Sequence, residues 1–269
     1  MRIFYNLDDM RERIPHPAVT VGSFDGVHAG HRAILSTLKE AALRNGGESV
    51  VVTFNPHPRQ VLQSDDSNLK LLNSPEEKIY LLQRAGIDNL LVIPFTREFS
   101  RMDSETFARR YLLEGIGAET IVMGYNHQFG RRREGDRDYL ESLRDKYGFE
   151  IVQLPKQQVD QRKVSSTVLR FLINAGELKS ARELLTEPYF FIAQRGTCGL
   201  LEYDEPLKIF PPEGTYPVSV DDGENTFETN LLLFPDNKLG LPFPVQSHCR
   251  PGQKLIVRFR DLPRDADGE

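Results

Sequence analysis

Between Ala18 and Pro155 the chain alternates short β-branched runs with amphipathic stretches, and this alternation constrains its fold more than any other feature. The runs are Ala18 to Gly22, Ser49 to Phe54, Asn89 to Phe95, Thr120 to Gly124 and Phe149 to Leu154. Their near-continuous apolar character predicts strands buried on both faces. Between them, residues 28–45 carry Ile34, Leu35, Leu38, Ala42 and Leu43 at helical spacing, with similar stripes over 75–84, 104–113 and 136–146. Strand and helix in alternation build a parallel sheet with helices on both faces, because parallel neighbours are joined by right-handed crossovers. Such sheets bind ligands beyond the carboxyl ends of their strands, so the segment after each strand carries the functional expectation.

The proline distribution marks a second region: ten of the 17 prolines lie from Pro188 onward, against seven in residues 1–187. Helix is disfavoured there, and short β-rich segments at 190–198, 216–220, 227–234 and 254–259 predict a small antiparallel sheet or barrel. The expected domains are therefore 1–187, α/β, and 188–269, small and all-β. A formal charge of −5 leaves no general polycation for nucleic acid or an anionic membrane, so any anion site is local. Residues 1–13 contain no signal-like apolar run and no stretch approaches a membrane span, which predicts a cytoplasmic protein. Two cysteines, Cys198 and Cys249, make neither a disulfide framework nor a zinc site.

The first strand leads into Gly22-Ser23-Phe24-Asp25-Gly26-Val27-His28-Ala29-Gly30-His31 and then a helix. Glycines permit a sharp turn and close approach of the backbone to a ligand, and unsatisfied amides at a helix start favour an anion. His28 and His31, three apart, share one side of the first turn and aim at that anion; alternatively they only cap and pack the helix end. The pattern is neither HExxH nor a Walker A loop. After the second strand, Pro56-His57-Pro58 holds His57 at the same edge, or forms an ordinary rigid loop. The fourth strand ends in Gly124-Tyr125-Asn126-His127-Gln128-Phe129-Gly130, followed by arginines that are equally a solvated surface run. After the fifth, Ser165-Ser166-Thr167 and Arg170 open another helix, as a second anion cradle or a plain N-cap.

GSFDGVHAGH, TFNPHP, GYNHQFG and VSSTVLR, in this order, resemble the N-terminal module of the bacterial bifunctional riboflavin kinase/FMN adenylyltransferases, over about residues 15–187. The resemblance implies a Rossmann-like nucleotidyltransferase domain followed by a small antiparallel β-barrel-like domain. It implies an enzyme that transfers AMP from ATP to FMN, with Mg²⁺ as cofactor and no metal ligand assigned among the residues. By the same resemblance, His28 and His31 contact ATP phosphates and act in catalysis with Arg170. Gly22, Ser23, Phe24, Asp25 and Gly30 line the phosphate site, and Ser165, Ser166, Thr167 and Arg170 close on the triphosphate. His57 and Asn126 lie at the active site, and Phe54, Tyr125 and Phe129 are among the aromatics that would meet the flavin ring. Residues 214–216 and 254–260 resemble strands of the kinase module, but the PTAN motif that the kinase uses for Mg-ATP appears nowhere in the sequence. Kinase activity is therefore expected to be absent, and the expected partners are small molecules. The rival expectations are a fully bifunctional enzyme, a related nucleotidyltransferase with another phosphate acceptor, and a nucleotide- or flavin-binding module without turnover.

Overall fold

The computed structural model describes residues 1–10, 14–62, 69–125, 127–131, 134–155, 164–196, 200–203, 207–242 and 250–260. The chain forms two compact units, one of Met1–Leu69 and Ile79–Val164, the other of Lys70–Lys78 and Ser165–Glu269.

The first unit is built on six strands: β1 (Arg2–Phe4), β2 (Ala18–Val21), β3 (Ser49–Asn55), β4 (Asn89–Pro94), β5 (Thr120–Met123) and β6 (Glu150–Gln153). They lie in the order β1-β4-β3-β2-β5-β6, and every pairing is parallel. Val50, Val51, Val52 and Leu90 are fully buried, as expected for strands covered on both faces. From β2 the chain winds outward through β3 and β4, then returns to place β5 on the other flank of β2, where Ala18 pairs with Thr120. Strand order thus reverses between β2 and β5, and the crevice at their carboxyl ends is the topological switch point of the sheet.

Among the described residues, the helices of this part of the chain are α1 (Ala29–Arg44), α2 (Pro58–Leu62), α3 (Pro75–Arg84, its start to Lys78 grouped with the second unit), α4 (Ser104–Phe107) and α5 (Arg137–Tyr147). α1 buries Leu35, Leu38, Ala41 and Ala42. Leu43 does not belong to that stripe, being 75% exposed, because Leu35, Leu38, Ala41 and Ala42 already define the inward arc. The helix expected over 104–113 starts as α4, capped by Asp103, and continues from Ala108 to Ile116 as a π-helix ended by left-handed Gly117. Periodicity finds the buried Phe107, Ala108 and Leu112 but does not distinguish these two windings.

In the second unit, β7 (Phe190–Arg195), β8 (Leu200–Glu202), β9 (Gly214–Asp221), β10 (Thr226–Leu233), β11 (Leu239–Gly240) and β12 (Lys254–Phe259) close into an antiparallel barrel. Alternation of the strands sends Phe191, Val218, Val220, Leu231, Leu255 and Val257 inward. Leu169 and Ile173 of α6 (Ser166–Asn174) and Ala181 of α7 (Leu178–Leu184) join the same core. Burial therefore groups these two helices with the barrel, whereas the change in proline content falls later, at Pro188. Among the described residues, no helix is long and apolar enough to cross a membrane.

Candidate active site

The loop from β2 to α1 is tightly held. The Gly22 amide donates to the Val52 carbonyl at 3.0 Å, and a Cβ on Gly22 would stand only 2.9 Å from the Phe24 ring. Phe24 and Val27 adopt left-handed backbone angles, φ 48° and 35°, with Gly26 at 93° between them. For a β-branched residue this is an outlier, with a cost of about 1–3 kcal/mol that only over-determined surroundings sustain. The surroundings qualify, since Phe24, Asp25 and Val27 are almost wholly buried. The strained turn delivers His28 to the N-cap of α1, where its Nδ1 accepts the His31 amide at 3.3 Å. The two imidazoles stack with centroids 3.8 Å apart and planes 13° from parallel, and the Phe24 ring lies 5.1 Å from that of His31. Gly30, buried, and the half-buried Ser23 complete the turn; the Ser23 carbonyl accepts the Thr53 hydroxyl at 3.3 Å.

His28 is 7% exposed, and burial pushes its pKa down to about 4. It is therefore neutral at pH 7, and because Nδ1 accepts a backbone N–H, the ring proton sits on Nε2. His57 is also buried, and its Nδ1 accepts the Arg59 amide at 3.1 Å while its own amide donates to Gln60 Oε1 at 3.0 Å. Pro58 opens the short α2, where its missing N–H is harmless. The His28 ring is thus a neutral hydrogen-bond donor at a carboxyl edge of the sheet, suited to phosphate oxygens and not to taking a proton.

The loop after β5 presents Tyr125, 52% exposed, and closes on an antiparallel bridge between Phe129 and Gly135. Asn126 lies outside the described residues, as do Arg132, Arg133, Cys198 and Cys249. Of the aromatics singled out for a flavin ring, Phe129 is buried in the core beside Phe107, and Phe54 is half-buried against Phe95 and Phe99. Motif reading passed over His127, whose ring stacks near Phe129 and whose pKa burial also pushes to about 4. Its signal is the position, directly after the switch-point strand β5.

In the second unit, Ser165 caps α6, its Oγ accepting the Val168 amide at 3.3 Å. Ser166 is half-buried and Thr167 exposed, and Arg170 donates through Nε to the Lys70 carbonyl at 2.7 Å. Among the described residues, no cluster of His, Cys, Asp or Glu is arranged to hold a metal ion.

The sheet defines an α/β protein of the doubly wound class, with the helix start after β2 at the topological switch point between β2 and β5. Residues 11–168 match the FAD synthetase family, and the chain belongs to that family. It is 35% identical over 171 residues to a bifunctional riboflavin kinase/FMN adenylyltransferase of Listeria monocytogenes, covering 64% of this chain and 54% of that one. A protein of the same organism named FAD synthetase is 32% identical over 204 residues, covering 74% and 79% of the two chains. The chain spans 54%, 61% and 60% of the lengths of three bifunctional relatives. A solved structure titled macrolide-efflux protein from Streptococcus pneumoniae superposes with a TM-score of 0.78 over 97% of this chain at 24% identity, a likeness of fold.

Proposed function

We propose that the chain is an FMN adenylyltransferase, transferring AMP from ATP to FMN to give FAD and pyrophosphate. The observation that carries this is the stacked His28–His31 pair at the start of α1, with His28 neutral and held by a strained buried turn at the switch point. An oxygen of the FMN phosphate attacks the α-phosphorus of ATP in line; the bond from that phosphorus to the oxygen bridging to the β-phosphate breaks, and pyrophosphate leaves. A phosphate monoester has its second pKa at about 6, so the nucleophile is already largely dianionic at neutral pH and needs no general base. What remains is repulsion between anions and charge growing on the bridging oxygen, which fixed donors relieve. His28 Nε2–H, His31 and the first amides of α1 are those donors, and Gly22, Ser23, Phe24, Asp25 and Gly30 form the wall that the phosphates approach.

His57, Tyr125 and Asn126 are assigned to the active-site loops with Phe54 and Phe129, and Ser165, Ser166, Thr167 and Arg170 to nucleotide binding. A Mg²⁺ ion would be held chiefly by the phosphates of ATP and would neutralise charge on them. The buried Asp25 fits an orienting role toward a metal-bound water, equally with a structural one. The substrates are small molecules, neither nucleic acid nor membrane, and the compartment is the cytoplasm. The absent PTAN motif supports a transferase without riboflavin kinase activity.

Incubating the protein with Mg-ATP and either FMN or riboflavin, then separating the flavins by chromatography, tests this directly. FAD from FMN with no FMN from riboflavin is the expected result. FMN from riboflavin restores the bifunctional reading, consumption of ATP with another phosphate acceptor favours a related transferase, and nucleotide binding without product favours a binding module.

A further inference from the structure

Lys208 is a buried cation in the second unit, 1% exposed. Its ammonium directs its three protons to three partners: the Leu72 carbonyl at 2.7 Å, Glu77 Oε2 at 2.8 Å and the Tyr189 hydroxyl at 3.1 Å. The Tyr189 hydroxyl donates to the Ile209 carbonyl at 2.6 Å, and its ring lies 4.6 Å from the Lys208 nitrogen. Glu77 accepts the Ile192 amide at 2.9 Å through its other oxygen and the Ser74 amide at 3.0 Å, while its own amide donates to Ser74 Oγ at 3.2 Å, a capping box at the start of α3. A fully satisfied polar network in a low-dielectric interior specifies one arrangement more than it adds stability, since apolar groups of similar volume often stabilise as well or better. Here the arrangement it specifies is the path of residues 70–72. Leu71 is bridged to Lys208, its amide donating to the Leu207 carbonyl at 2.7 Å and its carbonyl accepting the Ile209 amide at 2.9 Å. One residue earlier, the Lys70 carbonyl receives the Nε–H of Arg170 at 2.7 Å.

We propose that Lys208, Glu77 and Tyr189 are positioning residues for Arg170, fixing the Lys70 carbonyl that orients its guanidinium; this rests on the assignment of Arg170 to nucleotide binding. The barrel then contributes to the reaction without touching substrate, through the extended segment 70–72 that its buried ion pair holds.

The test is the full-length double variant Lys208→Met/Glu77→Leu, which leaves no unpaired buried charge and so is designed to fold. NMR relaxation of the Arg170 Nε–H is measured with its thermal unfolding and the KM values for ATP and FMN. The expected result is a side chain that changes from rigid to mobile, its order parameter falling below about 0.6. The KM for ATP rises several-fold, that for FMN stays, and adding the double change to Arg170→Ala produces no further rise, as a cycle through one residue requires. Tyr189→Phe, a milder change, moves the same readouts in the same direction and serves if the double variant fails to fold. An Arg170 that stays rigid in a folded variant overturns the proposal, as does a fully additive cycle. A mobile Arg170 with an unchanged KM for ATP upholds the positioning and instead removes Arg170 from nucleotide binding.

Discussion

The turns that start α1 and α6 are both polar helix entries, yet their side chains are committed in opposite ways. At α6 Ser165 does what a capping serine ordinarily does, accepting an amide of the first turn in a relaxed extended conformation. At α1 the cap is a buried imidazole, and the turn leading to it holds Phe24 and Val27 at positive φ. Nothing about capping requires that strain, because a serine or aspartate would cap as well at lower cost. A helix start built at an energetic disadvantage, next to a second imidazole 3.8 Å away, is better explained by what it must hold than by what it stabilises.

The comparison breaks most readily at His31. In His31→Ala, FAD formation is expected to fall by about 10²–10³, the usual loss of one fixed donor to a developing charge, with the circular dichroism spectrum unchanged. A variant within twofold of wild type would remove the role. Next in size, lowering the pH should destabilise the first unit through His28 and His127. Both have folded pKa values of about 4 against an ordinary 6.5, so the unfolded chain binds the extra protons between those values. Stability is therefore intact above pH 6.5, lost as pH falls toward 4, and level below that, by as much as ~3 kcal/mol per histidine. Urea titrations from pH 7 to 4 measure the slope, and His28→Gln should flatten it by about half. Gly22→Ala should be felt in the same turn, because the new Cβ meets the Phe24 ring that lies against His31. About 1–3 kcal/mol of overpacking is expected, along with a drop in turnover exceeding that of an equally destabilising change in the barrel. Smallest is Ser165→Ala, expected to cost about 1 kcal/mol as a lost cap, read from the urea midpoint.

Much of this architecture was legible before any coordinates. Runs such as Val50-Val51-Val52 have no amphipathic alternative and are fully buried, so their strands lie within a residue or two of the expected limits. The strands that escaped notice are too short for periodicity to register: β1 with three residues, β8 with three and β11 with two. β1 in addition depends on a partner distant in sequence, as Ile3 does on Leu90. The histidine pair was visible from its glycine turn, but its stacking, its tautomer and the strain at Val27 are properties of packing and have no sequence signature. Side-chain direction is the part that motif reading could not supply, since an aromatic beside a glycine-rich loop looks the same whether it faces solvent or, as Phe129 does, the core. The Lys208–Glu77 pair joins residues 131 apart and was invisible for that reason.

The central claim, that the imidazoles at the start of α1, His28 uncharged, receive the phosphates of ATP, is tested most directly by long-range ¹H–¹⁵N NMR of the histidine rings at pH 7. The account predicts His28 uncharged with its proton on Nε2, and resonances of His28 and His31 that shift together when a non-hydrolysable Mg-ATP analogue is added. A His28 that is cationic at that pH, or a pair of rings indifferent to the nucleotide, would contradict it.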